Sequence, residues 1–415
     1  MTSVKNSDIH WLGKVASDWE IAPAWRVMKE RGEKSLPDDV HLTPSQTHGV
    51  LTQQDYMDRT GNKVVLNLAG ADNMKRVRAG DFIIHLRSFE GGIEASAIDG
   101  KVSNAYTVLT PAPDTHFGYY RWFMKSVPLI EGLASSTDQL RDGQSINFSR
   151  FSRLSLPLPP LETQRRIADY LDRETAEIDA AVVDLDKYVE LLEKRRQVVI
   201  TQSVTRGIGS NRTRVHLRAL PGSEGVMNSP TKKVPFWSLL EFINAPVESS
   251  SYGVRLEDID SWTGRLFDNV ICDRRDSQGT PFQPGDSLFG KLRPYLAKSW
   301  LATTSGVAVG DIHVYRPKPH CEPRFLSYIL RTSDFISFAE GASEGVKMPR
   351  SEWSKLRQYP IPLPPLETQQ RIADYLDRET TEIDSLISES TRLRDLLLKR
   401  RSVLITEVVT GRKQV

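Results

Sequence analysis

The apolar positions Ile178, Val182, Leu185, Val189, Leu192 and Val199 follow one another at spacings of four, three, four, three and seven. That alternation is the a/d seam of a helix that lies along another helix. It returns 205 residues later at Ile383, Ile387, Leu397 and Leu404, with Ser390 and Arg394 where Leu185 and Val189 stood. Ahead of the first seam, Pro159-Pro160 sets an extended approach and hands over to Leu161-Glu162, a carboxylate that complements the first-turn dipole. The pattern predicts helix from about 157 to 208 and again from about 366 to 410, with a break near Asp172 to Thr175. From Thr175 to Thr205 is roughly 30 residues, a rod on the order of 45 Å at ~1.5 Å per residue. One such rod cannot bury its seam alone, so the two copies are expected to pair antiparallel.

Elsewhere the hydrophobic runs are short and punctuated by glycine. Lys63-Val64-Val65-Leu66, Asp81 to Leu86, Asp286 to Phe289 and Asp311 to Tyr315 read as strands. Tyr119-Tyr120-Arg121-Trp122-Phe123 reads as an amphipathic helix buried in the first mixed region. Trp11, Trp19 and Trp25 are expected in a core or a domain-docking surface.

The chain repeats itself. Residues 157–179 and 362–384 differ at two positions, Arg165 against Gln370 and Ala176 against Thr381. Gly80-Asp81 and Gly285-Asp286 keep the same offset, as do Phe148-Ser149-Arg150 and Trp353-Ser354-Lys355. The mixed regions are therefore diverged copies while the helices are near-identical ones. The implied division is a first domain at 1–156, a helical spacer at 157–208, a linker at 209–230, a second domain at 231–361 and a second spacer at 362–415. The fold class is α+β: two α/β domains separated by two long helices in an antiparallel coiled coil, with a pseudo-two-fold internal repeat. A constant arm suits a constant partner, and different heads suit different targets.

Composition narrows the function by exclusion. The 415 residues carry a net charge of +2, and the two mixed regions are balanced. Residues 1–156 hold 18 basic and 18 acidic side chains, and residues 232–361 hold 17 and 15. Any nucleic-acid binding must come from local patches or from a partner. The only cysteines are Cys272 and Cys321, too few for a disulfide framework or a zinc site. No run is long enough for a membrane span, and the start Met1 to Asn6 lacks the apolar core of a signal peptide, so a cytoplasmic location is expected. There is no P-loop, no Asn/Asp-Pro-Pro-Tyr/Phe motif and no glycine-rich cofactor turn.

The duplicated block Pro-Leu-Pro-Pro-Leu-Glu-Thr-Gln…Ile-Ala-Asp-Tyr-Leu-Asp…Thr…Ile-Asp resembles the specificity (S) subunit of type I restriction–modification systems. So do the helix ends Lys194-Arg195-Arg196…Thr205-Arg206-Gly207 and Lys399-Arg400-Arg401…Thr410-Gly411, and the opening His10-Trp11-Leu12-Gly13…Asp18-Trp19-Glu20. The resemblance covers essentially the whole chain. It implies two target-recognition domains, each reading one half of a bipartite, asymmetric site on double-stranded DNA. The helices would set the spacing and dock two methyltransferase (M) subunits. It further implies a non-catalytic chain that binds no cofactor. S-adenosylmethionine would act on the M subunits for N6-adenine methylation, and ATP with Mg2+ on motor/nuclease (R) subunits where the system has them.

Direct readout needs forked donors, amides and hydroxyls at base edges, with further basic groups on phosphates. The first-head candidates are Thr137, Gln139, Arg141 and Gln144 in a polar loop before the last strand, where the family has a DNA-facing loop. Lys75, Arg76, Arg78 and Arg87 are added to them. In the second head they are Lys347 and Arg350 in the counterpart loop, with Lys291, Arg293 and Tyr295. The partner-facing candidates are Ile178, Val182, Leu185, Glu190, Lys194, Arg195, Ile383, Ile387, Leu397 and Arg400. Two other readings stand beside this one. The first is a helical-hairpin scaffold with two adaptor domains and no DNA contact, which the balanced charge favours. The second is an enzyme hidden in one head.

Overall fold

The computed structural model describes residues 3–63, 74–85, 88–136, 146–208, 233–244, 248–267, 273–345 and 347–415, the side chains of 273–276 excepted. Two compact units emerge, one of residues 1–185 with 392–415 and the other of residues 186–391. The division falls inside the two long helices, not at their ends.

The head of the first unit is built on an antiparallel sheet of β1 (Met28–Glu30), β2 (Phe82–Ile84), β3 (Glu94–Ala95) and β4 (Thr107–Pro111), in the order β1-β4-β2-β3. Helices α1 (Phe117–Phe123) and α2 (Val127–Ser135) follow, and then α3 (Leu161–Arg206). Tyr119, Tyr120 and Phe123 of α1 are fully buried, at the spacing of one helical face. The strand Ser155–Leu158 pairs antiparallel with Glu20–Pro23, and Tyr120 Oη donates to Pro157 O at 2.8 Å. Trp19 is buried and Trp11 packs against the core, but Trp25 is 58% exposed, which corrects its assignment to a core.

The second unit repeats this plan. Its sheet is β5 (Leu240–Ile243), β6 (Ser287–Gly290), β7 (Ser299–Leu301) and β8 (Ile312–Pro317), in the order β5-β8-β6-β7. Helices α4 (Pro323–Ile329) and α5 (Ser333–Gly341) precede α6 (Leu366–Val409). Here Pro360–Pro362 pairs with Lys233–Pro235. A further sheet lies beside it: Glu248–Arg255 runs antiparallel to Asp273–Phe282, and Gly306–Val309 pairs with both; the first head has the corresponding pair, Lys75–Val77 with Gly100–Val102.

The repeated Gly-Asp marks a buried arginine clamp. In the first head Arg31 donates through Nε and Nη2 to Asp81 at 2.6 and 2.8 Å; in the second, Arg316 donates to Asp286 at 2.9 and 2.7 Å. Both carboxylates also cap a turn by accepting a backbone N–H, from Arg78 and Gln283 respectively. Arg31 lies just beyond β1 and Arg316 on β8, so different strands deliver the same group.

A second repeated device ties each head to its helix. Buried Gln164 accepts the N–H of His116 at 2.7 Å and donates to Asp114 O and Pro159 O. Its copy Gln369 accepts from Glu322 N at 2.9 Å and donates to His320 O and Pro364 O. Each glutamine thus binds two backbone groups ahead of α1 or α4 and one in the proline entry to its own long helix, joining the two segments.

The expected break near Asp172 to Thr175 does not occur. Helix α3 is continuous over 46 residues and α6 over 44. No proline or glycine interrupts either span, and the buried hydroxyls of Thr175 and Thr380 donate back to Leu171 O and Leu376 O within their own helices. The proposed strand at Lys63 to Leu66 lies largely outside the described residues.

The seam is buried unit by unit, antiparallel as expected. In the first core, Ile178 packs with Leu404, Ile405, Val408 and Val409, and Tyr119 Oη donates to Val409 O at 2.8 Å. In the second, Val199, Ile200 and Val204 pack with Ile372 and Leu376. Each head therefore sits on the first part of its own helix and on the last part of the other repeat's helix. Among the described residues no helix is long and apolar enough to cross a membrane.

Candidate nucleic-acid interface

In the second head two loops distant in sequence meet. The first leaves β6 at Lys291 and turns through Pro294–Leu296, with Arg293 and Ala297 at φ 51° and 46°. Positive φ at residues other than glycine is costly and persists only where the surroundings hold it. Here Arg293 N donates to Pro349 O at 2.9 Å and Ala297 N to Pro294 O at 2.8 Å. The turn leaves Tyr295 exposed.

The second loop is closed by pairing of Ser343–Glu344 with Arg350–Ser351. Ser351 N donates to Lys291 O at 3.0 Å, and Lys291 N donates to Asp311 O at 2.8 Å. Arg350 binds the Asp311 carboxylate through Nε at 3.1 Å and Nη2 at 2.9 Å. Beneath them His313 lies 3.1 Å through Nε2 from Ser351 O. A carbonyl only accepts, so Nε2 carries the proton and Nδ1 is bare. Burial pushes this imidazole down to about 4, so it is a neutral donor that anchors the loop.

Lys291, Arg293, Tyr295, Lys347 and Arg350 are thereby gathered on one surface, although more than 50 residues separate the two groups in sequence. Arg293, Tyr295, Lys347 and Arg350 are exposed and Lys291 is half-buried. Four cations on these two loops, with a phenol and forked donors, can hold phosphates and reach base edges. Asp311 and His313, which organise the group, were not among the sequence candidates. Their distance along the chain left no local signal.

The first-head candidates fare differently. Lys75, Arg76 and Arg78 lie on or beside the strand Lys75–Val77, which pairs with Gly100–Val102. Arg76 and Arg78 both bind Glu33, at 3.0 and 2.8 Å, and Arg78 followed by Arg76 holds that carboxyl down at about 2. Lys75 Nζ donates to Tyr106 O at 2.7 Å and lies 3.7 Å from Glu30. Each of these cations thus has a carboxylate partner in the head, Arg76 largely shielded and Arg78 50% exposed. Arg87, Thr137, Gln139, Arg141 and Gln144 lie outside the described residues.

On the helices, Ile178 and Ile383 are buried within their own units, which removes them from any partner-facing surface. Val182, Leu185, Ile387 and Leu397 are half-buried. Glu190 pairs with Lys194, Arg195 lies 3.5 Å from Glu379, and exposed Arg400 lines a 280 Å³ cleft with Glu174, Glu177 and Glu407. The exposed apolar residues are others. Tyr188, Leu191 and Val198 stand out on the second unit, and their repeat counterparts Leu393, Leu396 and Val403 stand out on the first, with Leu191 62% and Leu396 54% exposed. The spacing of three and seven is a second stripe beside the seam. It was legible in the sequence but was eclipsed by the stronger a/d pattern.

The family model for the type I restriction modification DNA specificity domain matches residues 40–182 and 292–390. The type I restriction enzyme EcoDI specificity subunit of Escherichia coli is 23% identical over 280 residues, 62% of this chain and 63% of that protein. A putative type I restriction enzyme MjaX specificity subunit of Methanocaldococcus jannaschii is 23% identical over 297 residues, 65% of this chain and 62% of that one. The chain thus spans less than two thirds of the length of these relatives. Two solved structures share the fold. One, from work on complex assembly and conformational transition of the type I R-M system, has a TM-score of 0.66 at 15% identity, covering 95% of this chain and 98% of that one. The other, the HsdS subunit from Thermoanaerobacter tengcongensis, has a TM-score of 0.52 at 16% identity, covering 96% and 98%.

Proposed function

From a chain that belongs to the type I restriction–modification DNA specificity family, we propose a sequence-reading subunit of a methyltransferase complex. Each head reads one half of a bipartite site on double-stranded DNA, and the helices set the gap between the halves. The observation that carries this reading is one frame with two faces. The glutamine and arginine clamps recur in both units, whereas the side chains presented differ: the second head exposes Arg293, Tyr295, Lys347 and Arg350 on two joined loops, while Arg76 and Arg78 of the first are bound to Glu33. A common frame serves common assembly, and different surfaces serve different half-sites.

The repeated stripe Tyr188/Leu393, Leu191/Leu396 and Val198/Val403 is the surface for the partner. Because each unit carries one copy, two methyltransferase subunits dock, one per unit. Exposed apolar stripes of this kind mark interaction surfaces. The chain contributes binding and no chemistry. S-adenosylmethionine belongs to the methyltransferase subunits, and ATP with Mg2+ to motor/nuclease subunits where these are present.

Co-expression with the methyltransferase of the same system, followed by sequencing of methylated adenines in the host DNA, tests the reading. The expected product is N6-methyladenine in a split motif with a fixed gap. Exchanging residues 1–156 for another head should alter one half only. A stable complex that leaves the DNA unmethylated, or a swap that changes both halves, overturns it.

A further inference from the structure

We infer that Arg350 determines specificity in the second half-site, where its guanidinium, oriented by Asp311, reads a guanine in the major groove. The inference rests on the DNA-reading function proposed above.

The pairing is side-on. Arg350 uses Nε and Nη2, at 3.1 and 2.9 Å from the carboxylate. The edge formed by Nη1 and the second Nη2 proton is left open, and it presents two parallel N–H groups. A guanine offers two matching acceptors, O6 and N7, on its major-groove edge. A free surface arginine would have to be ordered on binding, at a cost in rotamer entropy. Here that ordering is already present.

Both partners are held from behind. Asp311 O accepts from Lys291 N, Arg350 bridges to Leu292 across the loop junction, and Ser351 is held by Lys291 and His313. The fork is thus mounted on strands and not on a free tip.

Comparison with the other two side-on pairs isolates the feature. Asp81 and Asp286 are 2% and 1% exposed and also cap turns, so Arg31 and Arg316 are bound into the frame. In the Arg350–Asp311 pair the side chains are 44% and 32% exposed, in the middle of the gathered cations. An exposed pair contributes little to stability, so the frame does not depend on it. The adjacent carboxylate also repels phosphate, which favours a base edge over the backbone as the target.

The test uses the full chain with its methyltransferase and reads the methylated motif of wild type, Arg350→Ala, Arg350→Lys and Asp311→Asn. The wild type should show a guanine in one half. Arg350→Ala should relax that position by roughly tenfold or more and leave the other half unchanged. Arg350→Lys should relax it as well, because an ammonium cannot fork, and Asp311→Asn should weaken the same position to a lesser degree. Thermal melts of the variants identify any loss of fold, and the lysine variant preserves charge and bulk. A uniform drop in methylation with an unchanged motif, or a half-site with no guanine that responds to Arg350, overturns the inference while the DNA-reading function stands. A wild-type complex with no split motif overturns both.

Discussion

Arg196 and Asp384 form an ion pair, and the same two repeat positions read in the other direction, Arg401 and Asp179, form another. The first pair lies in the second unit with side chains 8% and 15% exposed. The second lies in the first unit, at 2.8 Å, with side chains 29% and 50% exposed. One repeat contributes the arginine to one unit and the carboxylate to the other. The near-identity of the helices follows from this exchange, because each copy must fit both roles.

Equal sequence does not mean equal energy. Removing Arg196 leaves a shielded carboxylate, although Arg265 still reaches Asp384 at 2.7 Å. Because Arg265 remains, Arg196→Met should destabilise the second unit by roughly 1–3 kcal/mol, and Arg401→Met should cost at most about 1 kcal/mol. Urea unfolding followed by a probe in each unit measures both.

The glutamine clamps predict matched effects in the two units. Gln164→Leu and Gln369→Leu each remove the side-chain partner of three backbone groups, some buried and some partly so. Each should cost roughly 1–3 kcal/mol, and the effects should add, because the sites share no partners. Equilibrium unfolding of the two single variants and the double variant checks this.

His313 sets a pH window for the second head. Burial holds it neutral until about pH 4, against 6.5 for a free imidazole; Lys291 lowers it further and Asp311 opposes. The unfolded chain therefore takes up a proton that the fold refuses. This stability is fully present above about pH 6.5 and is lost as pH falls towards 4, on the order of 3 kcal/mol in all. Carboxylates titrate in the same range, so the readout is a difference: His313→Gln should flatten the fall in stability between pH 6.5 and 4.5 relative to wild type. Parallel curves would assign the slope to other groups.

The apolar stripe predicts stoichiometry. Leu191→Glu and Leu396→Glu should each lose one methyltransferase subunit of two, and the double variant should lose both, with little change in the stability of the isolated chain because these residues are exposed. Light scattering of the purified complexes reads the masses.

Much of this fold is encoded locally. Helix period, proline entry and the 205-residue repeat lie within a few turns or in direct comparison of two segments. They carried the α+β class, the antiparallel seam and the likeness of the two heads. The sequence also placed Lys291, Arg293, Tyr295, Lys347 and Arg350 as candidates one by one.

Which of them lie together was decided by tertiary structure. Asp311, His313 and Ser351 join loops through strand register and carbonyl contacts that no periodicity encodes. Arg31 and Arg316 complete the same clamp from different strands, so position in the repeat did not predict the partner. The continuity of α3 and α6 past Thr175 and Thr380 likewise depended on burial of hydroxyls that a polar pattern reads as a pause. Local pattern determines which elements form and which face is apolar. Long-range pairing determines which side chains are neutralised in the frame and which remain on the surface to meet another molecule.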